Sequence, residues 1–364
     1  MTICLIGKNL TTLMLSKILV NKGIKVDLYH SNNKTSKNML NTTSRTIGLS
    51  NDSIEFLESQ KILNKKNCWN IKNINLYKDK NSKSFLNFEP KKSSFYMASY
   101  NNFYKTLETS LKKNKLIKIK KKQNQKSFFG VQKKDYEIII ISDKDNCLFK
   151  KYFSKYLKKD YKSIAFTTII EHNNIKNNTA EQYFTKFGPL AFLPISNTKT
   201  SVVFSVFDED LIKNNSKVLK LIKDYNHSYK IKHVSALQKF PINLSLSRNY
   251  FYRNILSFGD ALHKIHPLAG QGFNMTLRDT KILSNLIQEN LDLGINLDTI
   301  LDKFEINRKN SNFVFAMGVD FVHEFFKFNN KYNMKSIDNL FKLINKNLYI
   351  KKKIENFANK GFII

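Results

Sequence analysis

The chain has 364 residues, enough to bury a sizeable core and to form two domains. Lys and Arg number 61 against 29 Asp and Glu, and the net charge of +32 is typical of proteins that bind nucleic acid or an anionic membrane surface. The lysines are spread along the chain among asparagines, which equally favours compositional drift with no specific partner. The three cysteines lack CxxC spacing, so neither a disulfide framework nor a metal site is expected.

A strand-helix-strand pattern comes first. Residues 3–6 form a short apolar run that ends at Gly7, a helical pattern follows as far as Gly23, and residues 24–29 alternate as a second strand. This order predicts the opening unit of a dinucleotide-binding fold.

The middle of the chain alternates between strands and helices. We expect short strands over 69–88, a helix over 100–111, a hairpin over 117–131 and a buried parallel strand over 136–142. Further alternating strands are expected over 161–207 and a charged helical stretch over 208–229. After residue 297 the pattern is again helical. These last helices pack on the core or, alternatively, present a basic amphipathic face to lipid.

The stretch 259–279 carries the most distinctive pattern. The apolar run 255–258 predicts a short buried strand, after which Gly259 permits a sharp turn and Asp260 leaves a carboxylate at the strand's end. A loop with one proline and two glycines follows, and a long helix begins near Gln271. Because helix amino termini favour negative charge, the stretch predicts a cofactor cradle suited to a reduced flavin ring.

Three segments carry a resemblance to a known family. His-Pro-Leu-Ala-Gly-Gln-Gly-Phe-Asn at 266–274, followed by Leu-Arg-Asp at 277–279, resembles the second flavin motif of FAD-dependent aromatic-ring hydroxylases of the para-hydroxybenzoate hydroxylase type. The wording is similar to the ubiquinone-biosynthesis hydroxylases within that group. Phe-Thr-Lys-Phe-Gly-Pro-Leu-Ala-Phe-Leu-Pro at 184–194 and Arg-Thr-Ile-Gly-Leu-Ser at 45–50 resemble two further segments of the same hydroxylases.

The resemblance implies an α/β fold in which a Rossmann-like FAD-binding domain is interleaved with an antiparallel-sheet substrate domain and followed by C-terminal helices. The expected boundaries are 1–68, 96–160 and 245–300 for the FAD-binding domain, 69–95 and 161–244 for the sheet domain, and 301–364 for the helical region.

The resemblance also implies site residues. The candidate catalytic residues are Pro267 and His266. The candidate cofactor-binding residues are Gly7, Arg45, Asp143, Gly259, Asp260, Gly270, Gln271, Gly272 and Asn274. Two alternatives stay open: Arg45 is a surface cation before a helix cap, and His266 stabilises the turn before proline.

The family's chemistry is carried by its cofactors. The resemblance implies FAD, with NAD(P)H as co-substrate and O2 adding at the flavin C4a carbon to form a hydroperoxide that hydroxylates a polyprenyl phenol or quinol. Other ubiquinone-biosynthesis proteins are candidate partners, and no specific nucleic acid is expected. Without a signal peptide or a long apolar span, we expect a cytoplasmic protein, with peripheral contact to a bacterial inner membrane left open.

The chain departs from the family pattern at several positions. Asn9 and Thr12 replace two fingerprint glycines, and His30 stands where an acidic residue would hold ribose hydroxyls. After Asp143, Lys144 replaces a glycine and Cys147 a serine. These departures favour an alternative, a weakened or FAD-free member that acts as a scaffold in a ubiquinone-biosynthesis complex. A nucleic-acid-binding protein is a third hypothesis that rests on charge alone.

Overall fold

The structure is a computed structural model that describes residues 1–31, 45–79, 83–89, 95–122, 126–132, 136–293, 297–332 and 344–361. Within these ranges the strands are β1 Thr2–Ile6, β2 Lys25–Ser31, β3 Thr46–Ser50, β4 Trp69–Ile71, β5 Asn73–Lys78, β6 Leu86–Phe88, β7 Phe95–Ser99, β8 Ile117–Lys122, β9 Ile138–Ile141, β10 Tyr156–His172, β11 Thr179–Thr185, β12 Gly188–Pro194, β13 Lys199–Val206, β14 Ile231–Val234, β15 Gln238–Ser247, β16 Phe251–Tyr252, β17 Ile255–Ser257 and β18 His263–Lys264.

Helices connect and cover these strands. The α-helices in the described residues are α1 Leu10–Asn21, α2 Asn51–Ser59, α3 Tyr100–Lys112, α4 Phe129–Gln132, α5 Cys147–Tyr152, α6 Glu209–Lys213, α7 Asn215–Asp224, α8 Gln271–Leu293, α9 Leu297–Tyr332 and α10 Leu348–Lys360. Two short 3₁₀ turns, Gly259–Ala261 and Leu268–Gly270, lie in the segment between β17 and α8.

The first sheet is mostly parallel, in the order β16-β17-β9-β1-β2-β8. Its central strand β9 is the run Ile-Ile-Ile-Ile, fully buried along its length. A strand apolar on both faces needs helices on both sides, which is the setting of a parallel sheet. The carboxyl ends of β1, β9 and β17 therefore meet at one edge of the sheet, where a dinucleotide-binding fold holds its ligand.

The second sheet has nine strands, in the order β18-β15-β10-β13-β12-β11-β5-β6 with β14 beside β10. All its pairings are antiparallel except that of β11 with β5. In β12 every second residue is buried, the pattern of a sheet with one face on a core. That core also takes up the apolar side of α7, through Val218 and Ile222.

The third sheet, β3-β7-β4, is small, and Thr46 Oγ1 of β3 donates to Ser201 Oγ of β13 in the nine-stranded sheet at 2.9 Å. The long helices α8 and α9 pack on each other behind it. The described part of α10 is attached more lightly: Asn359 accepts a hydrogen bond from Ser50 Oγ at 3.0 Å, and Phe357 stacks on Phe315 at 5.0 Å.

The predicted fold class is confirmed, with a Rossmann-like sheet, an antiparallel sheet and C-terminal helices. The hairpin expected over 117–131 is wrong. Strand β8 pairs in parallel with β2, and Phe129–Gln132 is helical. Residues 333–343 and 362–364 of the predicted helical region lie outside the described residues. Across the described ranges, no helix is both long enough and apolar enough to cross a membrane.

Candidate functional site

A cavity of about 320 Å³ lies between the nine-stranded sheet, the small sheet and the loop after β17. One side is a face of the large sheet, where Ala165, Ala191 and Val203 present small side chains. Opposite lie β3 and β7, with Gly48 and Phe95 exposed to the space. The volume falls in the range of small-molecule sites, about 300–1,000 Å³, and the lining is mainly apolar.

The loop that closes the third side depends on a glycine turn. Gly270 has φ +65°, a left-handed conformation that favours glycine. A Cβ on Gly270 would point at the backbone of Gly48, 3.5 Å away, so the two glycines bring bare backbone from the loop and from β3 close together. Helix α8 begins immediately after this turn, at Gln271.

Asn274 fastens this loop to β3. Its amide nitrogen donates to the carbonyls of Gly48 at 3.0 Å and Gly270 at 3.2 Å, and its oxygen accepts from the Ser50 N–H at 2.9 Å. The side chain is fully buried and both ends of its amide are satisfied by backbone. Asn274 therefore holds the walls of the cavity together.

A buried ionic network anchors the other end of the loop. Asp279 on α8, with no exposed surface, accepts from His263 Nε2 at 2.5 Å, from Arg308 Nε at 2.7 Å and from Asn312 Nδ2 at 3.0 Å. Burial acts to raise the pKa of Asp279, but Arg308 and His263 outweigh it and hold the pKa at about 2. The network joins β18, α8 and α9 at the start of the cavity loop.

His266 and Pro267 stand side by side at the cavity wall. The His266 ring is 1% exposed, stacks on His323 at 4.1 Å and meets Tyr161 edge-on at 5.3 Å. Burial, with His323 alongside, lowers the pKa of His266 from 6.5 to about 3. Neither ring nitrogen has a hydrogen-bond partner among the described residues. His266 is therefore a neutral imidazole at physiological pH.

Arg45 also lines the cavity, with its guanidinium 4.2 Å from the centre of the Tyr100 ring. Asp260 lies on the same lining and is exposed. Burial raises the pKa of the Tyr100 hydroxyl, against the effects of Arg45 and of the Leu10 backbone N–H. The phenol of Tyr100 is thus positioned between the cavity cation and the first turn of α1.

The amino terminus of α1 is closed by the chain's own groups. Asn9 caps the helix through the Thr12 N–H at 3.0 Å, and its amide nitrogen donates to Ser142 Oγ at 2.9 Å. A Cβ on Gly7 would lie 2.5 Å from Ser142 Oγ, and one on Gly259 would lie 2.8 Å from Thr11 Cγ2. Both glycines are therefore required by close protein packing at this end.

The Asp143 side chain stabilises the turn in which it lies. One of its carboxylate oxygens accepts the Asp145 N–H at 2.9 Å, and burial raises the pKa of the carboxyl group. The neighbouring Lys144 reaches across to the large sheet and donates to Ser245 Oγ at 2.7 Å.

The predicted site residues thus fall into three groups. Arg45, Asp260, His266, Pro267 and Gly270 line the cavity. Gln271, Gly272 and Asn274 form the first turn of α8 behind the loop, and Gly7, Asp143 and Gly259 lie around the closed start of α1.

Sequence reasoning missed three residues. Phe95 lies over Gly48, and no local sequence pattern in its strand indicates that it lines a cavity. The stacking of His323 on His266 joins distant helix and loop, so no local pattern signals it. Lys264 lies inside the distinctive stretch, four residues after the predicted carboxylate Asp260, and its place in that stretch was the available signal.

Comparison with known proteins agrees with this geometry. A protein-family model described as squalene epoxidase matches residues 148–344. The chain is 27% identical over 172 residues to the mitochondrial ubiquinone biosynthesis monooxygenase COQ6 of Dictyostelium discoideum, covering 47% of this chain and 34% of the relative. It is 27% identical over 169 residues to 3-demethoxyubiquinol 3-hydroxylase of Escherichia coli, covering 44% and 43%. The matches span less than half the length of these curated relatives.

Solved structures extend the likeness to the whole fold. The p-nitrophenol 4-monooxygenase PnpA of Pseudomonas putida superposes with a TM-score of 0.79 at 11% identity, covering 100% of both chains. HpxO of Klebsiella pneumoniae, solved with FAD and uric acid, gives a TM-score of 0.73 at 11% identity, covering 99% of this chain and 97% of that one. At these identities the likeness establishes a shared fold.

Proposed function

Because the chain belongs to the squalene epoxidase family, whose model covers more than half of it, we propose that it is an FAD-dependent monooxygenase that hydroxylates the aromatic ring of a polyprenylated ubiquinone precursor. Relatives named for ubiquinone biosynthesis support the substrate class. The observation that carries the proposal is the bare-backbone glycine loop that opens on the cavity between the two sheets.

The flavin-ring half of the cofactor fits this site. Gly270 presents backbone without a side chain and Gly48 lies beneath the Phe95 ring, so a flat ring system would pack against Phe95 and the Gly270 loop. Gln271, at the start of α8, has a buried side-chain oxygen with no hydrogen-bond partner in the described residues. The amino terminus of α8 adds the positive end of a helix dipole, which favours the negative charge of a reduced ring.

The start of α1 does not fit the nucleotide half of FAD in the way that a glycine fingerprint does. A pyrophosphate needs free N–H groups at the start of α1, and there the N–H groups of Asn9, Leu10 and Thr12 already donate to side chains of the chain itself. His30, at the end of β2, is 6% exposed and supplies no carboxylate for ribose hydroxyls. The chain's residues therefore argue for weak retention of FAD, and no step is assigned to its nucleotide end.

The chain's own residues supply binding, orientation and exclusion of water. When bound, FAD would supply the activation of O2, with NAD(P)H as electron source. The small apolar residues of the large sheet leave room for an aromatic ring and keep water out. Arg45 places a positive charge at the cavity, and Pro267 and the neutral His266 bound the side nearest the glycine loop.

A second candidate function is a scaffold in a ubiquinone-biosynthesis complex that holds no FAD. The specific observation in its favour is the closed start of α1, where Asn9 bonds to Ser142 in place of a ligand. The two candidates differ in whether the chain takes up flavin at all, so a binding measurement separates them.

The first test is the visible spectrum of the purified protein before and after incubation with FAD and removal of free cofactor. We expect yellow protein after loading, and conversion of a prenylated phenol that depends on FAD and NAD(P)H. Gly270→Val, which places a branched side chain in the cradle, should abolish flavin uptake. Gly23→Val is the matched control, because Gly23 also has a positive φ, +78°, and a Cβ there would meet no atom of the described residues within 4 Å. Protein that stays colourless at saturating FAD would favour the scaffold.

A further inference from the structure

Three lysines converge on one buried serine at the rim of the cavity. Ser245, 5% exposed, is the β15 residue directly opposite Lys158 of β10 on one side and Lys264 of β18 on the other. Directly opposite residues of antiparallel strands project from the same face of a sheet. Lys144 approaches that face from the end of β9 and donates to Ser245 Oγ at 2.7 Å.

The charge at this point is poorly balanced. Asp260 is the carboxylate that opposes the lysines, whereas Lys264 and Lys158 act on Lys144 as like charges. Burial lowers the pKa of Lys144 to about 8, Asp260 opposes this effect, and the two other lysines add to it. Gathering ammonium groups in a partly buried place costs free energy unless an anion joins them.

We propose that Lys144, Lys158 and Lys264 form a binding site for a phosphate-bearing group at the rim of the cavity. Lysine binds phosphate as a mobile point charge, and three ammonium groups against one carboxylate leave the excess positive charge that a doubly charged phosphate group neutralises. Lys264 and Asp260 also line the cavity, so an anion held here belongs to a ligand that reaches it.

The position also complements the closed start of α1. Asp260 belongs to the 3₁₀ turn whose Gly259 packs on Thr11 of α1, and Lys144 comes two residues after Ser142, which bonds to Asn9. A dinucleotide that is excluded from the start of α1 would place its phosphates against these lysines. Assignment of the phosphate to a flavin or nicotinamide dinucleotide rests on the proposed function, whereas binding of a phosphate group does not.

The test is calorimetric titration of the full chain with pyrophosphate. Wild type should bind, and Lys144→Gln should bind at least about tenfold more weakly, because a charge-assisted contact is lost. Lys144→Arg should restore most of the affinity. Lys232→Gln, an exposed lysine of β14 in the same sheet, should behave as wild type. Absence of pyrophosphate binding by wild type, or equal loss with Lys232→Gln, overturns the proposal.

The pH dependence separates a binding lysine from a structural one. Because Lys144 loses its proton as the pH rises through about 8, pyrophosphate affinity in wild type should fall across that range. Arginine stays charged, so Lys144→Arg should keep its affinity there. A profile that is the same in both proteins contradicts the assignment.

Competition identifies the source of the phosphate. If FAD displaces pyrophosphate and riboflavin does not, the lysines hold the pyrophosphate of the flavin dinucleotide. If FAD-loaded protein still binds pyrophosphate and NADPH displaces it, they hold a nicotinamide dinucleotide. If neither FAD nor NADPH displaces pyrophosphate, the lysines bind a phosphate group that does not belong to the cofactors of the proposed reaction. The phosphate site and the proposed monooxygenase function can therefore fail separately.

Discussion

Asp279 is fully buried, and its carboxylate is surrounded by three donors from two elements, β18 and α9. Burying a carboxylate is costly unless it is paired and hydrogen-bonded, and here His263, Arg308 and Asn312 meet that need. Because His263 stands at the start of the cavity loop, the same bonds that satisfy Asp279 fix where the loop begins. The resemblance drew attention to Asp279 as part of a motif, but two of its partners, Arg308 and Asn312, lie on α9, which the motif does not include.

Asp279→Asn should destabilise the fold by about 3–5 kcal/mol, because it leaves the Arg308 guanidinium buried without its counter-charge. The free energy of unfolding in urea measures this change. In wild type the stabilisation is fully present above the ordinary carboxyl pKa of 3.8 and is lost as the pH falls towards 2, and the variant should lack this part of the acid dependence. Asp302→Asn, an exposed carboxylate on α9, is the control. Equal stability of the two variants would refute the network's importance.

His266 was predicted as catalytic from the resemblance, and that role stays a prediction. Its surroundings limit what it can do: a neutral imidazole accepts one hydrogen bond and donates another, but carries no proton to release as an acid near neutral pH. The lowered pKa arises from burial and from His323, a contact that joins loop and helix far apart in sequence. Local sequence cannot report such a contact.

At the scale of elements, helix α1 best shows what sequence could and could not predict. The pattern of β1, α1 and β2 was predictable because apolar periodicity marks each element. The replacement of two fingerprint glycines was also visible in the sequence. Its structural consequence was not predictable, because the partner of Asn9 is Ser142, which follows a strand from a distant part of the chain. Similarly, the alternation of β8 predicted a strand correctly but could not reveal its parallel partner β2.

Asn9→Gly should raise the affinity for FAD while leaving that for riboflavin unchanged. The substitution removes the side chain that occupies the first-turn donors, and riboflavin has no pyrophosphate to use them. The stability cost should be only a few tenths of a kcal/mol, because glycine is a tolerable cap, whereas Asn9→Ala should lose about 0.5–2 kcal/mol. Fluorescence titration measures both ligands. A similar gain for riboflavin would show that the effect does not come from the start of α1.

At the scale of the whole molecule, the excess of basic residues determines the net electrostatic free energy of the folded state. A net charge of +32 destabilises a compact state through self-repulsion, which dissolved salt screens over about 10 Å at 0.1 M. The fold class was predictable from the family resemblance, with apolar periodicity marking the opening strand-helix-strand unit. The lysine cluster at Ser245 was not, since it depends on the register of three strands.

Raising sodium chloride from about 20 mM to about 300 mM should raise the unfolding temperature by about 2 °C or more. Scanning calorimetry at constant pH measures the shift, and potassium chloride should reproduce it, because screening depends on ionic strength. A melting temperature that falls with salt would show that attractive ion pairs such as Lys159 with Asp320 outweigh the repulsion.

Strand β8 ends the order of the parallel sheet, and its sequence is Ile-Lys-Ile-Lys-Lys-Lys. A strand at a sheet margin offers backbone groups to any other extended chain, and lysines there oppose such pairing. Lys118 and Lys121 are exposed along this margin. The lysines of β8 thereby oppose strand-to-strand association of the protein into fibres at high concentration.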